Sequence, residues 1–237
     1  MIHAALFIQW HTPQSHYRQA EYIYCLLQSL RNPHIVSITL LLPSDEPTPI
    51  LPLKLFERYL HKVRYFRIRS SRCTYADWLQ ATKEMKHIQN NTVSMLINTD
   101  TYLEAAGMVD LMDMLPEDMA VCLSRREFFQ HKSLHERPDL SQDAWMVRVG
   151  DLVRKTDLRK FAIPLGFPGC DNRIAAVFVE NGYRIINPCN KIFLYHVHRE
   201  IGRNYTESNR ITGLYCFISP SDNFEHSQSY YHRIKFL

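Results

Sequence analysis

The chain opens with an apolar run, Ala4 to Gln9, and returns to such runs at Ile35 to Leu42 and Val93 to Ile97. Short apolar stretches bounded by polar residues predict buried strands. Between the first two, Gln14 to Leu30 carries Tyr17, Ala20, Tyr24 and Leu27, with Ile23 and Leu30 beside them. Their spacings of three and four predict an amphipathic helix, which Arg31-Asn32-Pro33 stops. Strand, helix and strand in that order imply a parallel pair joined by a right-handed crossover. The prolines at 43, 47, 49 and 52 mark a loop. Leu53 to His61 predicts a short helix and Val63 to Ile68 a strand, and the segment Arg72 to Trp78 leads into a helix ending near Ile88.

Beyond the central run the pattern predicts a helix from Ala105 to Met114, ended by Pro116, and a strand from Ala120 to Ser124. A polar loop spans Arg125 to Gln142, a strand Ala144 to Arg148, and a short helix or helical turn Asp151 to Arg159. Gly166-Phe167-Pro168-Gly169 reads as a turn, and Cys170 to Asn181 as a helix with Gly182 in the C-cap position. Tyr183 to Ile186 and Ile192 to His198 read as strands. From Ile201 onward aromatic residues alternate with Pro, Ser and Asn, predicting a tail that either folds over the site or is partly mobile. The order of elements is α/β in one domain, with a core over residues 1 to about 205 and a tail over 206–237.

Composition narrows the function classes. No apolar run approaches the ~20 residues a bilayer span needs. The N-terminus lacks a basic segment and a small-residue cleavage site, so it reads as a first strand. Six scattered cysteines without a C-x-x-C argue against a disulfide framework or structural zinc, and for reducing cytoplasm. A net charge of +4 suits a small anionic ligand or a weak membrane or nucleic-acid contact without demanding any of them; with the other features taken together, no nucleic-acid partner is expected.

The central strand runs directly into Asn98-Thr99-Asp100. Ligands of open α/β sheets bind beyond the carboxyl ends of strands, and side chains two apart on an extended backbone project the same way. Asn98 and Asp100 can therefore share one hard cation, Mn2+ or Mg2+, bridged to a diphosphate; the plain alternative is a strand-end turn. No G-x-G-x-x-G or G-x-x-x-x-G-K-[ST] loop occurs, and Trp10-His11-Thr12-Pro13 follows the first strand instead. A diphosphate here would need a cation to hold it. Asp171, opening a helix after a turn, is either a helix cap or a general base. His196 and His198 share a strand face and are candidate ligands. Arg125 and Arg126, at a strand end, are candidates to meet a diphosphate. Parallel-sheet topology puts a nucleotide between Gln9 and the Arg72–Asp77 segment.

Four stretches carry a resemblance in the right order: Arg18-Gln19-Ala20-Glu21-Tyr22; Arg72-Cys73-Thr74-Tyr75-Ala76-Asp77; Asn98-Thr99-Asp100-Thr101; and Gly169-Cys170-Asp171-Asn172-Arg173-Ile174, followed by Gly182-Tyr183, Asn187-Pro188 and Tyr195-His196-Val197-His198. Together they resemble glycosyltransferases of the GT-A fold, in a subgroup that includes bacterial surface-polysaccharide enzymes and capsid-glycosylating enzymes of large algal viruses. The resemblance implies a GT-A-like mixed sheet flanked by helices. It also implies transfer of a hexose or deoxyhexose from a nucleotide-diphosphate donor to a glycan or glycoprotein acceptor. By it Asn98, Asp100 and His198 hold the cation, with His196 the next candidate ligand; Gln9, Arg72, Thr74, Asp77, Asp100 and Arg125 bind the donor; Asp143, Trp145, Asn172 and His196 meet sugar; and Asp171 is the base. Trp145 reads equally as core, and Asp77 as a first-turn helix charge. Two departures stand out: Asn98 where the metal motif commonly has Asp, and Cys170 where the catalytic pair commonly has Glu. They keep a non-catalytic sugar- or nucleotide-binding module open beside the enzyme. A nucleotidyltransferase would need the missing Gly-rich loop.

Overall fold

A computed structural model of the chain describes residues 3–85, 92–110, 115–155, 157–199 and 206–234. The mainly apolar runs become central strands. β1 (Ala4–Gln9) pairs in parallel with β2 (Ile35–Leu42) on one side and β4 (Val93–Ile97) on the other, and β3 (Val63–Arg67) extends the sheet beyond β2. Alternation along these strands feeds two cores. Ala4, Leu6, Ile8, Val93, Met95 and Ile97 face one, whereas Ala5, Phe7 and Leu96 face the other. Helix α1 (His16–Arg31) closes the first core with Tyr22, Leu26 and Leu30. A short helical turn, α2 (Leu53–Phe56), continues as a 3-10 helix through Lys62 where one helix to His61 was expected. Trp78 and Leu79 of α3 (Tyr75–Glu84) help close the second core.

The second half makes the sheet mixed. β5 (Thr101–Leu103), β6 (Met119–Glu127), β7 (Ser133–Leu134) and β8 (Gln142–Arg148) are followed by α4 (Val149–Lys155) and α5 (Cys170–Glu180), then β9 (Arg184–Ile186) and β10 (Leu194–His196). The order along the main sheet is β3-β2-β1-β4-β8-β6-β10-β5, with β7 and β9 both paired to β6. β8 runs antiparallel to both β4 and β6, so the central strand has one parallel and one antiparallel neighbour. Ile174 and Phe178 of α5 complete the second core.

Several expectations need correction. β5 was not expected: its three residues are ordered by β10, far along the chain. β6 runs on through Arg125, Arg126 and Glu127, where a loop was expected, because these residues pair with β10 and β7. Residues 105–107 form a turn, helix begins only at Met108, and residues 111–114 of that expected helix lie outside the described residues, as does Ile88. Residues 206–234 of the expected tail include two strands. β11 (Gly213–Ile218) and β12 (Ser229–Ile234) form an antiparallel hairpin against α5, with Cys216 and Ile218 in the second core.

The seat of this hairpin is Gly169, which precedes α5 at φ +79°, a region L side chains rarely adopt. A Cβ there would lie 1.7 Å from the Tyr215 hydroxyl and 2.9 Å from a ring carbon. Gly169→Ala should therefore displace the hairpin and lower stability by roughly 1–3 kcal/mol in urea denaturation. Gly182→Ala, at φ +81° with open space around it, should cost less. Equal losses in the two variants would contradict this packing.

Candidate functional site

β1 and β4 end side by side, and the hydroxyl of Thr99 ties the following turn back to the Gln9 carbonyl. The turn is fixed by Thr101 N–H on the Asn98 carbonyl at 3.2 Å, and by Val197 N–H on the Asp100 carbonyl at 2.8 Å. Pairing of β5 with β10 sets His196 opposite Thr101. Backbone geometry alone thus brings the late histidines to the central strand's end.

There they meet Asp100. Its Oδ2 lies 3.3 Å from His196 Nε2 and 3.5 Å from His198 Nδ1, and accepts from Arg18 Nη2 at 2.7 Å. A chain of contacts continues from it. His196 Nδ1 is 2.9 Å from Glu127 Oε2, Glu127 Oε1 accepts from Arg125 Nε at 2.7 Å, and Arg125 Nη1 reaches Asp143 Oδ2 at 3.1 Å. Asn98 Nδ2 donates to Asp143 Oδ1 at 2.8 Å, so the contacts run as an open ring that alternates in charge from Arg18 to Asp143.

This ring decides the ionisation states. Burial alone would raise the Asp100 carboxyl, but hydrogen bonds and charge from His196 and Arg18 outweigh it and hold the group far below the usual carboxylate range. Burial opposes the charged form of His196 too, yet its bonds to Asp100 and Glu127 raise it to about 9. Glu127 falls to about 2, its burial outweighed by His196 and Arg125. His198 moves the other way: burial, then the Arg18 charge, lower it, leaving a neutral imidazole near neutral pH.

Asp100, His196 and His198 each present a ligand atom within 4.8 Å of the others. One carboxylate oxygen and two imidazole nitrogens fit Mn2+ or a similar transition ion better than Mg2+, which favours all-oxygen surroundings. Binding would require His196 to give up its proton. Of the residues expected from sequence as ligands, Asp100, His198 and His196 meet here, and the Asn98 amide nitrogen donates to Asp143.

A cavity of about 480 Å³ leads away from this cluster. Asn98, Asp100, Arg125, His196 and His198 line it together with Gln9, His11, Glu46 and Arg72. The Arg72 guanidinium is held over the Phe167 ring at 4.3 Å and donates to the Leu165 carbonyl at 3.0 Å. Asp171 is not among the lining residues; Tyr75 Oη donates to its Oδ1 at 3.0 Å. Burial, then repulsion from Asp143, raises Asp171 to about 7.

Other expected site residues are used elsewhere. Thr74 and Asp77 do not line the cavity; they form a reciprocal capping box at the start of α3, with Thr74 N–H on Asp77 Oδ2 at 2.8 Å and Asp77 N–H on Thr74 Oγ1 at 3.2 Å. Trp145 is core, stacked on Phe178 at 5.4 Å. Asn172 is buried, and its amide donates to the carbonyls of Asp139 and Cys216 at 2.8 and 3.4 Å, tying the hairpin to α5. Arg126 turns to the far face, over the Phe193 ring. Arg18 stands in the first resembling stretch but was given no role there, and Glu127 was not singled out from the sequence. Arg18 also pairs with Glu21, one turn on, the spacing that marks a helical ion pair.

No protein-family model matches the chain, and no curated protein matches it in sequence. Solved structures do match in fold. The mannosyltransferase PcManGT from Pyrobaculum calidifontis, in complex with GDP-Man and Mn2+, is 14% identical with a TM-score of 0.55 over 84% of this chain and 58% of its own. Residues 1–349 of S. aureus TarS give 12% identity and a TM-score of 0.53 over 83% of this chain and 60% of that one. GalNAc-T7 with UDP, GalNAc and Mn2+ gives 10% and 0.52 over 85% and 44%. The chain spans less than two thirds of the length of each. Its mixed sheet flanked by helices is the GT-A glycosyltransferase fold, as the motif order implied.

The raised Asp171 carboxyl has a consequence for stability. A folded-state value near 7 against an ordinary 3.8 means the folded protein binds the extra proton, so the stability linked to it is present below about pH 4 and is lost as pH rises through 7. Asp171→Asn should accordingly become more stable relative to the parent as pH rises from 5 to 8 in urea denaturation. A difference independent of pH would contradict the assignment.

Proposed function

We propose that the chain is a single-domain glycosyltransferase that moves a sugar from a nucleoside-diphosphate donor to a glycan hydroxyl with the help of a divalent cation. The observation that carries this reading is the Asp100–His196–His198 cluster in the wall of a cavity that Gln9 and Arg72 also line. The fold agrees, and two of the structures similar to it were solved with a nucleotide or nucleotide sugar and Mn2+. The turn after β1 offers no Gly-rich loop to cradle phosphates, and Trp10 there is buried.

The residues divide by position. Asp100, His196 and His198 hold the cation, which when bound neutralises charge on the diphosphate leaving group. The two imidazoles favour Mn2+ over Mg2+. Arg72, fixed between Phe167 and Leu165, and Gln9 orient the nucleoside. Arg125, clamped by Glu127 and Asp143, presents fixed positive charge toward the sugar-phosphate side. Asp143 orients sugar hydroxyls, its own oxygens being engaged by Asn98, Arg125 and Ser141. Asp171 takes the acceptor proton. A carboxyl near 7 is poised for this at neutral pH, and Tyr75 keeps it in one orientation.

Three measurements bear on the assignment. Calorimetry should find that Asp100→Ala abolishes Mn2+-dependent binding of a nucleoside diphosphate while the protein stays folded; unchanged affinity would sink the cation role. In donor turnover, kcat/KM should rise with pH and level off above about 7, where Asp171 is ionised. Asp171→Asn should lose roughly 10²–10⁴-fold in turnover, with donor affinity nearly intact. Retained turnover would move the base elsewhere. A panel of nucleotide sugars, scored for slow donor hydrolysis, identifies base and sugar together.

A further inference from the structure

β10 presents two faces. His196 is directed to Asp100, while Tyr195, one residue earlier, pairs across the sheet with Tyr102 of β5 and Arg126 of β6. On this outer face the Tyr195 ring lies 5.3 Å from Tyr102 and 6.4 Å from Phe128, and Tyr24 of α1 sits 5.8 Å from Tyr102 and 5.9 Å from Phe128. Phe129 stands edge-on to Phe128 at 5.2 Å. Tyr24 and Phe129 are 37% and 40% exposed, so the cluster opens to solvent.

Cations cap it. The Lys132 ammonium lies 5.0 Å over Tyr195 and 5.7 Å over Phe128, and the Arg199 guanidinium 4.3 Å over Phe129. Lys132 reaches this position at a conformational cost. The turn from β6 to β7 closes with Ser133 N–H on the Gln130 carbonyl at 3.0 Å, and both central residues have positive φ, 51° at His131 and 56° at Lys132. Asn-Gly is the usual occupant of such a turn, because positive φ strains ordinary side chains. Here the chain sets two basic residue types at the tip of a Phe-Phe hairpin instead. Of the nearby carboxylates, Glu104 accepts the Tyr195 hydroxyl at 3.4 Å and Glu127 is paired on the inner face.

We propose that this hairpin tip and its aromatic floor dock the protein on an anionic lipid surface. Half-exposed aromatic rings with cations seated over them match an interface, where rings reach the acyl boundary and the charges stay among headgroups. Phe129 at the tip is exposed and wholly apolar, which favours lipid over a soluble polyanion. The surface lies outside the donor cavity, so this inference stands or falls separately from the catalytic reading.

Flotation with vesicles tests it. The protein should float with vesicles of phosphatidylglycerol and phosphatidylcholine in equal parts, bind less as salt rises, and stay behind with phosphatidylcholine alone. Phe129→Ser and Lys132→Glu should each weaken binding on the order of tenfold. Lys132→Gly separates docking from folding: it relieves the positive φ, so thermal stability should rise while lipid binding falls. The proposal is overturned by no binding to either vesicle, by equal binding to both, or by full binding in the variants. It is likewise overturned if dextran sulfate binds as tightly as the acidic vesicles, or if Phe129→Ser abolishes a dimer seen by gel filtration.

Discussion

A largely buried carboxylate at the end of the central strand governs this molecule. Asp100 is worth its burial only because Arg18, His196 and His198 surround one of its oxygens. Removing a carboxylate from water costs several kcal/mol unless paired charge and hydrogen bonds replace the lost hydration. The same requirement draws in the rest of the ring, because His196 in its charged form needs Glu127, Glu127 needs Arg125, and Arg125 needs Asp143. The strand ends are thus held by mutual compensation among residues from five separate elements and turns. A divalent ion brought to Asp100 would take over positive charge that Arg18 and His196 supply in its absence.

The sheet makes this arrangement possible. Parallel β1 and β4 deliver Gln9 and Asn98 side by side, and antiparallel β8 returns Asp143 to the same edge, its carbonyl bonded to the Asn98 N–H at 3.3 Å. β10, running parallel to β6 and antiparallel to β5, carries His196 to Asp100 and Tyr195 to the opposite surface. One strand therefore links the cation cluster to the aromatic surface by nothing more than the two-residue repeat of extended chain.

Much of the scaffold is legible in the residues. β1, β2 and β4 match their aliphatic runs residue for residue, because nearly every position on both faces is buried and only small polar residues interrupt the runs. β5 is not legible: Thr101 to Leu103 carries no run, and its strand form depends on β10. The charged end of β6 misleads for a related reason, since Arg125 and Glu127 look like loop residues until their partners are in place. In the site, Asp100 is readable from its position after the central strand. Arg18 and Glu127 are not, because a lone charge on a helix or strand end is ordinary until folding supplies its counterpart. Asp77 is the converse case. The Thr74-x-x-Asp77 spacing already described a helix cap, and the structure uses it as one.

The central claim is that Asp100, His196 and His198 form one cation site. Anomalous scattering from crystals of the protein soaked in Mn2+ tests it most directly. The account predicts a single strong peak at ligand distance, ~2.0–2.3 Å, from Asp100 Oδ2, His196 Nε2 and His198 Nδ1, with the Arg18 guanidinium displaced or sharing the carboxylate. A peak bound only elsewhere on the protein, or none at saturating Mn2+, would contradict it.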